Sequence, residues 1–137
     1  MSAHTLQQVG LAIKRAQVRH HRALDSRLTK IGLSLVQWDA LRHLDANPDA
    51  SLHDLAQLTF QSDQAFGTLA GRMAARGLIE RIDGPGRAIR HRITPKGRKL
   101  LLRGSGIADE VFAASFAPLT ERQVGVLGDL LDQLNAG

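Results

Sequence analysis

Arg87, Arg90, Arg92 and Arg98 crowd the stretch ERIDGPGRAIRHRITPKGRK, from Glu80 to Lys99. A guanidinium presents a planar fork of N–H donors and stays charged at physiological pH, so its partners are carboxylates and phosphates. The same stretch reads as two short strands around a Gly-Pro-Gly tip. Such a tip needs glycine for its geometry, but it needs no cation to fold. The charge is therefore directed outward, toward an anion.

A second set of candidates precedes it in SDQAFGTLAGRMAAR, residues 62–76. Helical spacing puts Phe66, Leu69 and Met73 on one face and Gln64, Gly67, Thr68, Gly71 and Arg72 on the other. A Gln amide can pair with adenine, and a Thr can hydrogen-bond a base or touch a thymine methyl. Glycines cost a helix about 1 kcal/mol each. Two on the polar face suit the close approach of a groove wall or, alternatively, of another helix. Ser62 is placed to cap this helix or to bind a phosphate, and Asp63 is expected to act only as a cap.

The charge of the whole chain is organised in blocks. Lys and Arg outnumber Asp and Glu by six to one over residues 1–30 and by ten to two over 72–103. They are outnumbered one to five over both 31–71 and 104–137. Such asymmetry points to a polyanion, either nucleic acid or an anionic membrane surface, with a solvated basic face as the plain alternative. At 137 residues and 43% apolar composition the chain can bury a core, and it has no cysteine for a disulfide or thiolate metal site. It has no apolar run of membrane-spanning length and no signal-peptide pattern, so a cytoplasmic protein that does not engage a membrane is expected. There is no nucleophile motif, phosphate loop or H-E-x-x-H, so no enzyme, cofactor or metal site is expected. His20 and His21 are neighbours about 100° apart on a helix and do not easily share a metal.

The elements that position these residues announce themselves by their starts. Thr5–Gln8, Ser34–Gln37, Ser51–Asp54 and Thr120–Gln123 all have capping-box spacing ahead of apolar periodic runs. They predict helices over about 5–30, 34–46 and 52–59, and after residue 120. A further helix is predicted over about 62–76, stopped by Gly77, and another over 95–116, with Pro95 at its first turn and Gly104 and Gly106 weakening its middle. Between them lie two strands, LIERI and AIRHRIT. In the second, Ile89, His91 and Ile93 alternate with Arg90, Arg92 and Thr94, predicting isoleucine inward and arginine outward.

Two short helices followed by a basic hairpin form the winged helix-turn-helix pattern, in a mainly α fold with a two-stranded β-wing. The second helix of the pair can enter a major groove, and the hairpin can follow the backbone or reach a minor groove, whose negative potential favours arginine. On this reading Ser62, Gln64, Gly67, Thr68, Arg72, Arg87, Arg90 and Arg92 are the DNA-binding candidates. The alternative is an architectural or low-specificity winged-helix module that binds DNA or protein. The first helix, about 39 Å long for 26 residues, exceeds what such a core needs to cover, which favours pairing of two copies.

The segments GLSLVQWDALRHL, SLHDLAQL, GTLAGRMAARGLIERIDGPGRAIRHRITPKGRKL and LTERQVGVLGDLLDQL resemble the MarR family of bacterial transcriptional regulators. The resemblance covers nearly the whole chain. It implies a homodimer binding a pseudo-palindromic operator on double-stranded DNA, most often as a repressor released by a small aromatic or anionic ligand. It also implies long dimerisation helices over 1–30 and 98–137 flanking a DNA-binding domain over 31–97. Arg87 matches the family's wing arginine, seven positions before Thr94. The chain departs from the pattern at Pro85, where an acidic residue usually stands, with Asp83 nearby. The family's pocket lies between the first two helices and the winged domain, where Arg19, His20 and Trp38 are candidates to receive an aromatic acid. For His20 a hydrogen-bonded core role, and for Trp38 a core anchor, are the alternatives.

Overall fold

The structure, a computed structural model, describes residues 3–82, 86 and 88–137. Helix α1 (Leu6–Leu28) runs into a 3-10 turn (Thr29–Ile31) and is followed by α2 (Leu35–Ala46), α3 (Leu52–Leu58) and α4 (Asp63–Ala75). Strands β1 (Ile79–Ile82) and β2 (Arg90–Ile93) then form an antiparallel pair, and α5 (Pro95–Phe116) and α6 (Glu121–Asn135) complete the order. The first helix ends two residues short of the predicted span of about 5–30, because Thr29–Ile31 tighten and Gly32 turns left-handed at φ 78°.

Hydroxyl caps start every α-helix. Thr5, Ser34, Ser51 and Thr120 form full capping boxes. Ser62 and Thr94 accept from Ala65 and Gly97 N–H with the hydroxyl alone. Inward faces of α1 to α5 and β1 then converge on one core, in which Leu28, Leu33, Leu41, Leu55, Met73 and Leu78 are fully buried. α6 contributes no buried residue.

The wing is built onto the helix pair at its base. Leu52 N–H donates to the Ile89 carbonyl at 2.8 Å, and a bridge joins Ser51 to Arg90. The ladder sets Glu80 against Arg92 and Arg81 against His91. Arg90 and Arg92 are exposed and Ile89 and Ile93 half-buried, as the alternation predicts, but the deepest side chain of the strand is His91.

Two glycines are demanded by close approach. A Cβ on Gly97 would stand 2.0 Å from the Leu78 carbonyl oxygen. That oxygen already accepts from Thr94 N–H at 3.1 Å. Gly104, read from sequence as a weak point of α5, lets Trp38 lie against the helix: a Cβ there would stand 2.5 Å from Trp38 Cδ1.

Gly97→Ala should therefore push α5 off β1. Overpacking of this kind costs about 1–3 kcal/mol, and against an immovable backbone oxygen the upper end is expected. A thermal melt beside the wild type checks this, and an unchanged midpoint would contradict the packing described.

Candidate nucleic-acid interface

Ser51 and Ser62 set the starts of α3 and α4, and the turn between them carries Phe60 in a left-handed conformation at φ 57°. Phe66, Ala70 and Met73 fasten α4 to the core. The opposite face is left to solvent, with Gln64, Thr68, Gly71 and Arg72 exposed on it. The side chains of Gln64 and Arg72 bond to no described residue. Thr68 donates its hydroxyl proton to the Gln64 carbonyl at 3.1 Å, so what it offers outward is an acceptor oxygen and a methyl group.

Three placements differ from the sequence reading. Gly67 is half-buried on the flank facing α3, where a Cβ would meet the Leu52 side chain at 4.0 Å. Gly71 remains on the open face, with nothing within 4 Å of its Cβ position. Asp63 is not the cap, a role Ser62 fills; its carboxylate meets His53 Nδ1 at 2.8 Å, joining the starts of α3 and α4.

On the wing, the arginines differ in what they have left to give. Arg92 Nε donates to Glu80 at 2.9 Å, its opposite number in the ladder, so much of its charge is compensated. Arg90 Nε donates to the Asp49 carbonyl at 3.2 Å, which orients the guanidinium without neutralising it. Arg98 pairs with Asp45 at 2.9 Å. Arg87, Pro85 and Asp83 lie outside the described residues.

A cleft of about 690 Å³ opens between α1, α2 and α5. Trp38 forms one wall, its Nε1 donating to Ser105 Oγ at 3.4 Å. The Arg42 guanidinium lies 5.6 Å from the Trp38 ring centre and donates to Asp39 at 2.7 Å. His21, Gln17, Asp109 and Phe112 complete the polar and aromatic lining. Of the sequence candidates only Trp38 is here. His20 turns the other way, its Nε2 2.6 Å from Ser115 Oγ and its ring edge-on to Phe112 at 5.1 Å. Arg19 lies on a separate groove of α1 with Leu11, Arg15 and Arg22. The cation of the cleft is Arg42, one helical turn after Trp38, a spacing that sequence alone could have offered. Among the described residues no His, Asp or Glu cluster could hold a metal, and no helix is long and apolar enough to cross a membrane.

A capped helix pair, an exposed polar row on its second helix and a hairpin lashed to its first define a winged helix-turn-helix protein. Residues 31–88 match the model of the MarR family. A probable transcriptional regulator from Pseudomonas aeruginosa is 30% identical, with 93% of this chain and 96% of that one covered and a TM-score of 0.79. The HTH-type transcriptional repressor IacR of Pseudomonas putida is 28% identical over 88% of this chain and 73% of its own. The Mycobacterium tuberculosis MarR family protein Rv2887, solved with p-aminosalicylic acid, is 25% identical with 92% and 97% covered and a TM-score of 0.77. This chain belongs to the MarR family and is a transcriptional regulator.

Gly71 tests the exposed face directly. With open space around it, Gly71→Ala should raise helix stability by about 1 kcal/mol while weakening DNA binding, if this face is the one that enters a groove. A thermal melt and a binding titration on one preparation check both halves. A raised midpoint with undiminished binding would place this face away from DNA.

Proposed function

We propose that the protein is a homodimeric, cytoplasmic repressor that binds a pseudo-palindromic operator and is released by a small aromatic acid. The observation that carries this reading is the solvent-exposed row Gln64, Thr68 and Arg72, displayed on a helix whose other face is locked in the core. In a major groove, Gln64 would read adenine, Thr68 would accept from a base amino group or touch a thymine methyl, and Arg72 would take guanine or phosphate. Arg90 and Arg87 of the wing would lie along the backbone or in the minor groove. Arg92, already tied to Glu80, would contribute less. The free O–H of Ser62 can donate to a phosphate while its oxygen caps the helix. Gly67 would act only through the fit of α4 on α3.

Dimerisation is supported by apolar surface that this chain leaves uncovered. Leu6 is 92% exposed, Leu130 55% and Leu134 65%, with Val9 and Ile13 of α1 and Val124 of α6 beside them. Residues 1–30 and 98–137 would form the dimer body and residues 31–97 the DNA-binding lobe. Two-fold pairing would then set two α4 helices about one DNA turn apart.

The Trp38 cleft suits an aromatic carboxylate, with the indole as an apolar wall and Arg42 as the anion's partner once it leaves Asp39. The relative solved with p-aminosalicylic acid supports this ligand class. A ligand releases DNA only if it binds the DNA-incompetent arrangement more tightly than the competent one.

Selection from a random duplex pool at about 150 mM salt, near the physiological ionic strength, should enrich a two-fold-related motif with half-sites about 10 base pairs apart. Loss of all binding as salt rises, with no motif, would replace this reading by a low-specificity one. Arg87→Ala should weaken operator binding and lower the salt slope by about one for each protomer, with an unchanged thermal midpoint. Gln64→Ala should relax one base position per half-site at a cost of about 1–3 kcal/mol.

Arg42→Ala should leave operator binding intact and abolish its reversal by salicylate, as read by a fluorescence anisotropy titration. Reversal at the wild-type concentration would remove the cleft from the release mechanism.

A further inference from the structure

One buried group serves neither the DNA face nor the cleft. His91 of β2 is only 5% exposed, and its Nδ1 has no hydrogen-bond partner among the described residues. Buried polar atoms are nearly always satisfied, so an exception needs a reason. On its inner side lies a void of about 10 Å³ lined by side chains of α2, α3, α4 and β1, Leu44, Leu55, Phe66 and Met73 among them, all apolar. A water there would find one polar partner where it needs two or more. On its outer side a cavity of about 250 Å³ opens at the rear of the wing, giving a path for protons.

Among the described residues, the charged groups around the imidazole place no carboxylate in hydrogen bond with its Nδ1. Arg81 of β1 stands opposite it in the ladder. The outer cavity adds Asp45 of α2, held by Arg98 of α5 at 2.9 Å, and Arg92 of β2, held by Glu80. From α3 and α4 only apolar side chains face it. Burial first, and the Arg81 charge second, hold the His91 pKa below its ordinary 6.5.

We infer that His91 is an acid-operated release device: taking up a proton, it leaves the core, loosens β2 from α2 and α4, and detaches the protein from DNA. This rests on the DNA-binding reading above. The sign follows from linkage. The native arrangement holds the neutral imidazole, and a loosened one takes the proton with the ordinary value of 6.5. The contribution to stability is therefore complete above that pH and is lost as pH falls from it toward the depressed native value. Within that window the loosening equilibrium shifts by up to about tenfold per pH unit in each protomer.

The test compares wild type with His91→Val, which fits the apolar void and cannot titrate, from pH 7.5 to 5.5. Both thermal midpoint and affinity for the selected operator are read. The wild type should lose midpoint and affinity as pH falls below 6.5, by up to about tenfold in affinity per pH unit in each protomer, and the variant should hold both nearly constant. Any pH dependence common to the two proteins cancels in the comparison. Superimposable profiles would overturn the proposal. If the variant does not fold, the wild-type His91 ring is titrated by NMR instead. A pKa of 6.5 or above overturns the proposal, and a lower one coinciding with the midpoint of DNA release supports it. Failure of the wild type to bind any duplex at pH 7.5 would strike the DNA-binding reading. The thermal comparison would still decide whether His91 is an acid switch of the core.

Discussion

What the protein can present to DNA depends on one backbone oxygen, the carbonyl of Leu78. It accepts from the Thr94 N–H at 3.1 Å, while the Thr94 hydroxyl donates to the adjoining Gly77 carbonyl at 2.5 Å. The same hydroxyl oxygen caps α5 by accepting from Gly97 N–H at 3.0 Å. Lys96 Nζ adds a bond to the Arg76 carbonyl at 2.9 Å. The end of α4, the start of β1, the end of β2 and the start of α5 thus meet in one knot. The absence of a Cβ at Gly97 is what lets them meet. The angle between recognition helix and wing is set here, far from any residue that would touch a base.

The knot also connects the wing to the Trp38 cleft. α5 leaves it at Pro95 and, about two turns on, passes the Trp38 cleft, where Gly104 admits the indole and Ser105 takes its N–H. The helix that lines the Trp38 cleft is therefore the helix whose first turn holds the wing. Arg27 of α1 pairs with Glu110 and His20 with Ser115 farther along α5, so its far end is anchored to the proposed dimer body. On the proposed reading, a ligand against Ser105 and Phe112 would act on a helix held at both ends. Small displacements could not be absorbed locally and would reach the angle of the recognition helix.

Local pattern made the scaffold legible. Four capping boxes and the β2 alternation depend on neighbours within about one helical turn, or on a period of two, and those signals survive in a single sequence. What escaped depends on contacts between distant segments. Gly104 reads as a helix-weakening residue until Trp38, 66 positions earlier, is laid beside it. Over the long α1 the choice between His20 and His21 is a single 100° step, decided by which neighbour Phe112 and Phe116 take. Asp63 looked like a cap because nothing local reveals that His53 would reach it. His91 carried the signal of an inward position, but not of being the strand's deepest side chain.

The charge blocks overstate the attraction available to DNA. Of the basic segment 72–103, Arg92 and Arg98 are committed to Glu80 and Asp45. At the starts of α3 and α4, where phosphates would approach, stand the carboxylates Asp54 and Asp63. His53 lies against Asp63. For attraction to phosphate alone both acids are unfavourable, although Asp54 closes the capping box of α3 and Asp63 meets His53. Keeping them lowers affinity for every sequence alike, so the binding energy must be recovered from contacts made only on the right bases. On the exposed face of α4, Gln64, Thr68 and Arg72 are the groups able to do so. An interface that is poor for generic phosphate and rich in solvent-exposed base-reading groups is how a regulator separates its operator from the rest of a genome. On the proposed reading, the acidic starts of α3 and α4 fit a sequence-specific reader better than an architectural one.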